Sequence, residues 1–275
     1  MDRVMRIKID GLTMAYNVSG VGPPLTLIHG FPLNKEMWRP QVSSLSRRFR
    51  VVALDLPGFG ESEAPPGPCS MDRFADYVAA LLRQLRIPSS LVVGHSMGGY
   101  VIFRLYARHR SLVGGMVLAN TRAEADSPEG KQGRLATIER IKREGLTSYI
   151  SESAEKLVSP ATMARRPEIL RTLRDIMKAA SEQSVVSTLH ALAERPDSTP
   201  LLSEITVPTL LVTGAQDQII PFDAAERMHS SIRGSQLVTL QDTGHMSNLE
   251  DPEAFNRAVL QSFRRPSSAS GISDR

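Results

Sequence analysis

One cysteine in 275 residues, Cys69, leaves no internal disulfide to form, and the Pro/Gly-rich stretch around it (PPGPCS) has no metal-ligand spacing. Apolar runs stay far below the ~18–20 residues that cross a bilayer, so neither a membrane span nor a membrane partner is expected. The amino-terminal MDRVMRIKIDG lacks the apolar block and small-residue cleavage site of a secretory signal. Together with the near-absence of cysteine, this points to the cytoplasm. Aromatic residues make up only 5%, too few to suggest base-stacking platforms, and no block of five or six basic residues occurs. A net charge of +4 is small for this length, so no nucleic-acid partner is expected. The balance that remains, 41% hydrophobic and 23% charged, is that of a folded globular chain.

Short β-rich runs alternate with helical patterns. Arg6–Ile9 leads into Asp10-Gly11, a hairpin signal, with Leu12–Val18 returning as partner. Leu25–Ile28, Arg50–Leu54, Leu91–Val93 and Met116–Ala119 are continuously apolar, as strands covered on both faces must be. Between them, Phe74, Tyr77, Val78, Leu81, Leu82 and Leu85 recur at helical spacing, and Gly99–His109 carries a second apolar stripe. Repeated strand–helix–strand units predict an α/β fold, a doubly wound, mostly parallel sheet, since parallel neighbours need crossovers. The rhythm breaks at 121–200, which holds 13 basic and 12 acidic residues and no strand pattern. Helices are expected there near Lys131–Glu144, Leu146–Leu157, Pro167–Ala180 and Ser184–Ala193. The alternation resumes with strands at Thr209–Val212 and Gln236–Leu240 and helices at Phe222–Ser230 and Pro252–Phe263. The expected organisation is a core formed by 1–120 and 201–265, a helical insertion at 121–200, and a disordered tail at 266–275.

Gly94-His95-Ser96-Met97-Gly98 fits G-x-S-x-G. Three fixed positions at ~7% each would match by chance in roughly one chain in ten of this length. Here the match follows an apolar strand and precedes a helical pattern, the strand–turn–helix setting in which a serine hydroxyl is pushed above a sheet edge. A serine hydroxyl is a weak nucleophile near neutrality and needs a base oriented by a third group. Of six histidines, His245 stands directly after the last predicted strand, where the loop overhangs the carboxyl edge. The same position selects Asp217 as the orienting acid, one turn beyond Thr209–Val212. Asp223 reads instead as the start of the next helix, and Asp242 is only three residues from His245.

In the order Ser96, Asp217, His245, with His29-Gly30-Phe31-Pro32 matching HG-x-P and Asp55–Ser62 matching D-x-x-G-x-G-x-S, the chain resembles α/β-hydrolase-fold serine hydrolases over residues 5–265. The stretches 120–126 and 194–198 are similar to those of microbial carboxylesterases with a helical cap. The resemblance implies an oxyanion hole from the backbone N–H groups of Phe31 and Met97. Phe31, Leu33, Trp38 and Met246 are then expected to wall an apolar substrate pocket. Dehalogenases and epoxide hydrolases of this fold carry Asp where Ser96 stands. No dinucleotide or phosphate loop occurs, and no cofactor or metal is implied. The expectation is a carboxylesterase acting on a small ester of short or medium chain, monomeric or weakly homo-oligomeric. Enol-lactone hydrolysis, carbon–carbon bond hydrolysis and perhydrolysis remain open on the same triad, as does a slow-turnover small-ligand receptor.

Overall fold

Eight strands form one sheet in the order β1-β2-β4-β3-β5-β6-β7-β8 in a computed structural model that describes residues 4–263. The strands are β1 (Met5–Ile9), β2 (Leu12–Ser19), β3 (Pro24–Ile28), β4 (Arg50–Leu54), β5 (Ser90–His95), β6 (Val113–Ala119), β7 (Thr209–Gly214) and β8 (Gln236–Leu240). The hairpin β1–β2 is antiparallel and joins β4 antiparallel, while every pairing from β4 to β8 is parallel. The tail expected at 266–275 lies outside the described residues.

The helices are α1 (Arg39–Leu45), α2 (Met71–Gln84), α3 (Met97–His109), α4 (Pro128–Glu144), α5 (Leu146–Lys156), α6 (Pro160–Arg165), α7 (Pro167–Lys178), α8 (Glu182–Ala193), α9 (Phe222–Ser231), α10 (Ser247–Glu250) and α11 (Pro252–Ser262). Their starts follow ordinary capping chemistry. The side chains of Ser70, Ser127, Ser159 and Ser181 each accept a first-turn amide, and proline occupies the first turn of α4, α6, α7 and α11.

Alternate residues of the central strands feed two hydrophobic clusters on opposite faces. Val92, Met116, Leu118 and Leu211 join α2 and α3 in one. Leu91, Val93, Val117, Ala119, Leu210 and Val212 join Trp38, Phe255 and Val259 in the other. Burial on both faces is the reason these strands read as unbroken apolar runs.

Between β6 and β7 the chain is helical from α4 to α8. These five helices share their apolar residues with both clusters of the body. Ile138, Ile141, Val185 and Leu189 belong to the first cluster, and Ile150, Leu157, Leu173 and Met177 to the second. They therefore lie against the α/β body, next to the carboxyl edge of the sheet.

Candidate active site

The serine at the centre of the G-x-S-x-G run is held where the sequence pattern expects it, in the turn from β5 into α3, with φ 51° and ψ −113°. A positive φ is costly for a residue with a Cβ, and it persists because neighbours fix the turn. Ser96 N–H donates to the Ala119 carbonyl at 2.9 Å, and the Thr121 hydroxyl and Gly99 N–H both donate to the Ser96 carbonyl, at 2.8 and 2.9 Å. A Cβ on Gly94 would lie 2.5 Å from the Gly98 backbone, and one on Gly98 would lie 2.3 Å from the Ile28 carbonyl. Both flanking glycines are thus imposed by the sharpness of the turn. Met97 opens α3, so its N–H is among the amides that have no acceptor within the helix.

Behind this turn lies a second histidine that the sequence leaves as a turn residue. His95 is buried, and its Nε2–H donates to the backbone carbonyl of His245 at 2.7 Å. The two rings meet edge to face with centroids 4.8 Å apart. Desolvation holds the His95 pKa down at about 3, so the ring is neutral and its donor is fixed at Nε2.

His245 and Asp217 form a buried pair. Nδ1 of His245 donates to Asp217 Oδ2 at 2.8 Å, with side-chain exposures of 2% and 1%. The other carboxylate oxygen, Oδ1, accepts the amides of Ile219 and Ile220 at 2.8 and 3.0 Å. Asn120, at the end of β6 and also at positive φ (48°), donates through Nδ2 to Asp217 Oδ2 at 3.0 Å and to the Gly244 carbonyl at 3.2 Å. Burial alone would push the Asp217 carboxyl up, but the His245 charge and hydrogen bond, with those of Asn120 and Ile220, outweigh it and hold the pKa at about 2. The acid is therefore ionised throughout the neutral range. With Nδ1 occupied by Asp217, the imidazole presents Nε2 as its free acceptor.

Phe31 is placed by two turns. His29 Nδ1–H donates to the Gly30 carbonyl at 2.8 Å while Nε2 accepts the Leu56 amide at 2.9 Å, a neutral state that burial favours by lowering the His29 pKa. The Phe31 ring packs edge-on to Phe59 at 6.2 Å, and Phe59 packs against His29 at 5.5 Å. The loop after β4 that carries Phe59 is anchored by Asp55. Its carboxylate accepts from the Lys35 amide and ammonium at 2.8 and 2.7 Å and from the Glu61 amide at 2.9 Å.

Ser96, Met97, Phe31 and His245 line one cavity of 220 Å³, with Asp217 behind His245. That volume lies below the ~300–1,000 Å³ of most ligand pockets. The remaining wall differs from the expected one. Leu33, Trp38 and Met246 do not line the cavity: they are 1%, 0% and 0% exposed and belong to the hydrophobic cluster beneath it. Trp38 stands edge-on to His95 and tilts against Phe255, and the Met246 amide donates to Leu157 O at 2.9 Å, which holds that segment against the backbone following α5. The wall comes instead from Pro32, Tyr100, Leu157, Met177, Leu192, Ile219 and Ile220, with the polar Arg122, Arg134, Tyr149, Ser153 and Lys156. Helical periodicity gives no sign of which of these side chains face a pocket. Asn120 had a readable signal, being a polar residue ending a buried strand at the carboxyl edge.

Other acids and histidines lie elsewhere. Asp223 sits in the first turn of α9, paired with Arg227, and His190 is exposed on α8. Among the described residues, no group of three or more His, Cys, Asp or Glu could hold a metal, and no helix is long and apolar enough to cross a membrane. The arrangement that remains can move a proton from a hydroxyl to an imidazole beside a set of backbone amides.

Comparison with known proteins agrees with this fold. The chain is 30% identical over 243 residues to 3-oxoadipate enol-lactonase 2 of Acinetobacter baylyi, covering 88% of this chain and 89% of that protein. It is 32% identical over 238 residues to a pimeloyl-[acyl-carrier protein] methyl ester esterase of Neisseria meningitidis, covering 83% and 89%. A thermophilic esterase from Thermogutta terrifontis, solved with malate bound, superimposes with a TM-score of 0.89 at 36% identity, over 94% of this chain and 97% of that one. A family model described as the alpha/beta hydrolase fold matches residues 23–252, and the chain belongs to that family of hydrolases.

Proposed function

We propose that this hydrolase is a serine carboxylester hydrolase that acts on short acyl esters through an acyl-enzyme. The observation that carries this reading is the buried Asp217–His245 hydrogen bond behind a cavity that Ser96 and His245 both line. Ser96 Oγ attacks the ester carbonyl while His245 Nε2 takes its proton, and Asp217 holds the Nδ1–H tautomer and steadies the imidazolium. The tetrahedral oxyanion lies against the Phe31 and Met97 amides, each worth roughly 3–4 kcal/mol to such a transition state. His245 then returns the proton to the leaving alcohol. In the second half, it takes a proton from water as that water attacks the acyl-Ser96 carbonyl, releasing the acid. Helices α4–α8 act as a cap whose side chains limit substrate size, and the small cavity supports a short-chain preference.

Enol-lactones are the second reading, because a lactone is a cyclic ester and needs no further catalytic group. The similarity to 3-oxoadipate enol-lactonase 2 supports it. Hydrolysis of p-nitrophenyl acetate and butyrate tests the shared mechanism. A serine hydrolase shows an acyl-enzyme burst or steady turnover, and Ser96→Ala lowers kcat by several orders of magnitude, up to ~10⁶, with little change in thermal stability. Retention of a tenth of the activity would assign the nucleophile elsewhere, and a single slow stoichiometric event would indicate a ligand receptor.

A further inference from the structure

Charge is unevenly distributed around the cavity. Arg122 from the loop after β6, Arg134 from α4 and Lys156 from the end of α5 all line it, and no Asp or Glu does among the described residues. The acid that serves the two arginines is Asp126, whose side chain is 1% exposed. It accepts from Arg122 and Arg134 and also pairs with Arg195 at 2.7 Å. Burial opposes its ionisation, but the Arg134 hydrogen bond and the Arg134 and Arg195 charges outweigh that and hold its carboxyl below the usual range. Three guanidiniums on one carboxylate leave two positive charges in excess.

Neighbouring acids do not cancel that excess. Glu152 and Glu155 on α5 are engaged by Arg140 and Arg174, each at 2.7 Å, while Glu124 shares Arg227 with Asp223 and does not line the cavity. Asp217 lies behind His245 on the catalytic side. Lys156, exposed at the end of α5, has no ion-pair partner among the described residues. Tyr149 and Ser153 add hydroxyls to the same wall. The catalytic groups and this cationic wall face the same small volume, so a substrate that reaches both must be short.

Building on the ester-hydrolase reading, we propose that Arg122, Arg134 and Lys156 form a carboxylate subsite and that the substrate is a short ester or lactone carrying a free carboxylate. Guanidinium forks match the two oxygens of a carboxylate, and a partly desolvated site strengthens each charged hydrogen bond. A neutral ester of equal length leaves that wall solvated and gains nothing from it.

The test is pH-stat hydrolysis of matched substrates: methyl butyrate (neutral), monomethyl succinate (carboxylate on the acyl side) and the acetate ester of glycolate (carboxylate on the alcohol side). At least one anionic ester is expected to exceed methyl butyrate in kcat/KM by roughly tenfold to a hundredfold, mainly through KM. The advantage should shrink as sodium chloride is raised. Which anionic ester is favoured assigns the wall to the acyl or the alcohol side. Arg122→Met should reduce the ratio of anionic to neutral kcat/KM about tenfold. Lys156→Met, at an exposed position that does not challenge folding, should reduce it several-fold. Equal kcat/KM for all three esters in the wild type, or a ratio unchanged in Lys156→Met, would overturn the subsite and leave the ester hydrolase standing. Failure to hydrolyse any of them, p-nitrophenyl acetate included, would overturn the underlying reading instead.

Discussion

Asn120 governs more of the site than its single side chain suggests. Its Nδ2 donates to both Asp217 and the Gly244 carbonyl, and its Oδ1 accepts the Ser247 hydroxyl, so one amide ties the acid to the segment that carries the base. Asn120→Ala leaves those buried partners short of a hydrogen bond and is expected to cost about 1–3 kcal/mol in urea unfolding. It should also lower kcat on p-nitrophenyl butyrate. An unchanged stability and an unchanged kcat would mean that Asp217 is held without it. The residues within contiguous motifs were legible in the sequence because a turn's chemistry is local: Gly94, Ser96 and Gly98 are dictated by one backbone reversal. Asn120 could be placed at a strand end, but its pairing with Asp217 was not legible, since that partner is 97 positions away and no short pattern joins them. Leu33, Trp38 and Met246 misled for a related reason. Proximity in sequence to Phe31 or His245 does not make a side chain point the same way, and these three turn down into the core.

Elements were read well where periodicity had room to show. β4 and β8 run over the residues that their apolar patterns mark, and the long helices start within a few residues of the expected positions. Among the described residues, the three α-helices that the sequence did not reveal are α1, α6 and α10, of seven, six and four residues, too short for a stripe to repeat. The loop after β4 and the single helical turn Lys35–Trp38 after β3 are joined by Lys35 and Asp55, with side chains 3% and 0% exposed. Burial works against the Lys35 charge, yet the facing Asp55 raises its pKa above the ordinary value. Asp55→Ala leaves that ammonium only the half-exposed Glu61 carboxylate, at 3.0 Å, and orphans the two amides Asp55 accepts, so it is expected to destabilise the fold by about 3–5 kcal/mol. Lys35→Met combined with Asp55→Asn should recover part of the loss, because the Asn carbonyl still accepts a backbone amide. If Asp55→Ala unfolds at the wild-type denaturant midpoint, the pair does not secure the Phe59 loop.

For the molecule as a whole, acid stability follows from two histidines buried in the neutral state. Burial lowers the pKa of both His29 and His95, the latter to about 3, against an unfolded value of ~6.5. The unfolded chain therefore takes up protons that the native one refuses, and stability falls as pH drops below ~6.5. Each site contributes up to about 1.4 kcal/mol per pH unit. The Asp217 contribution is lost in a lower window, between the ordinary carboxylate value and about 2. Calorimetry between pH 7 and 5 should show a falling Tm, with a shallower slope for His95→Gln. A Tm independent of pH over that interval would contradict neutral burial.

The strand order has a further consequence at this scale. β3, β5, β6, β7 and β8 are consecutive neighbours, and the segments leaving them carry Phe31, Ser96, Asn120, Asp217 and His245 in turn. Five adjacent rails, ~4.8 Å apart by ladder geometry, thus fix the lateral spacing of these side chains. Under the proposed reading, changes confined to the overlying helices alter which molecules are admitted while leaving these lateral distances untouched.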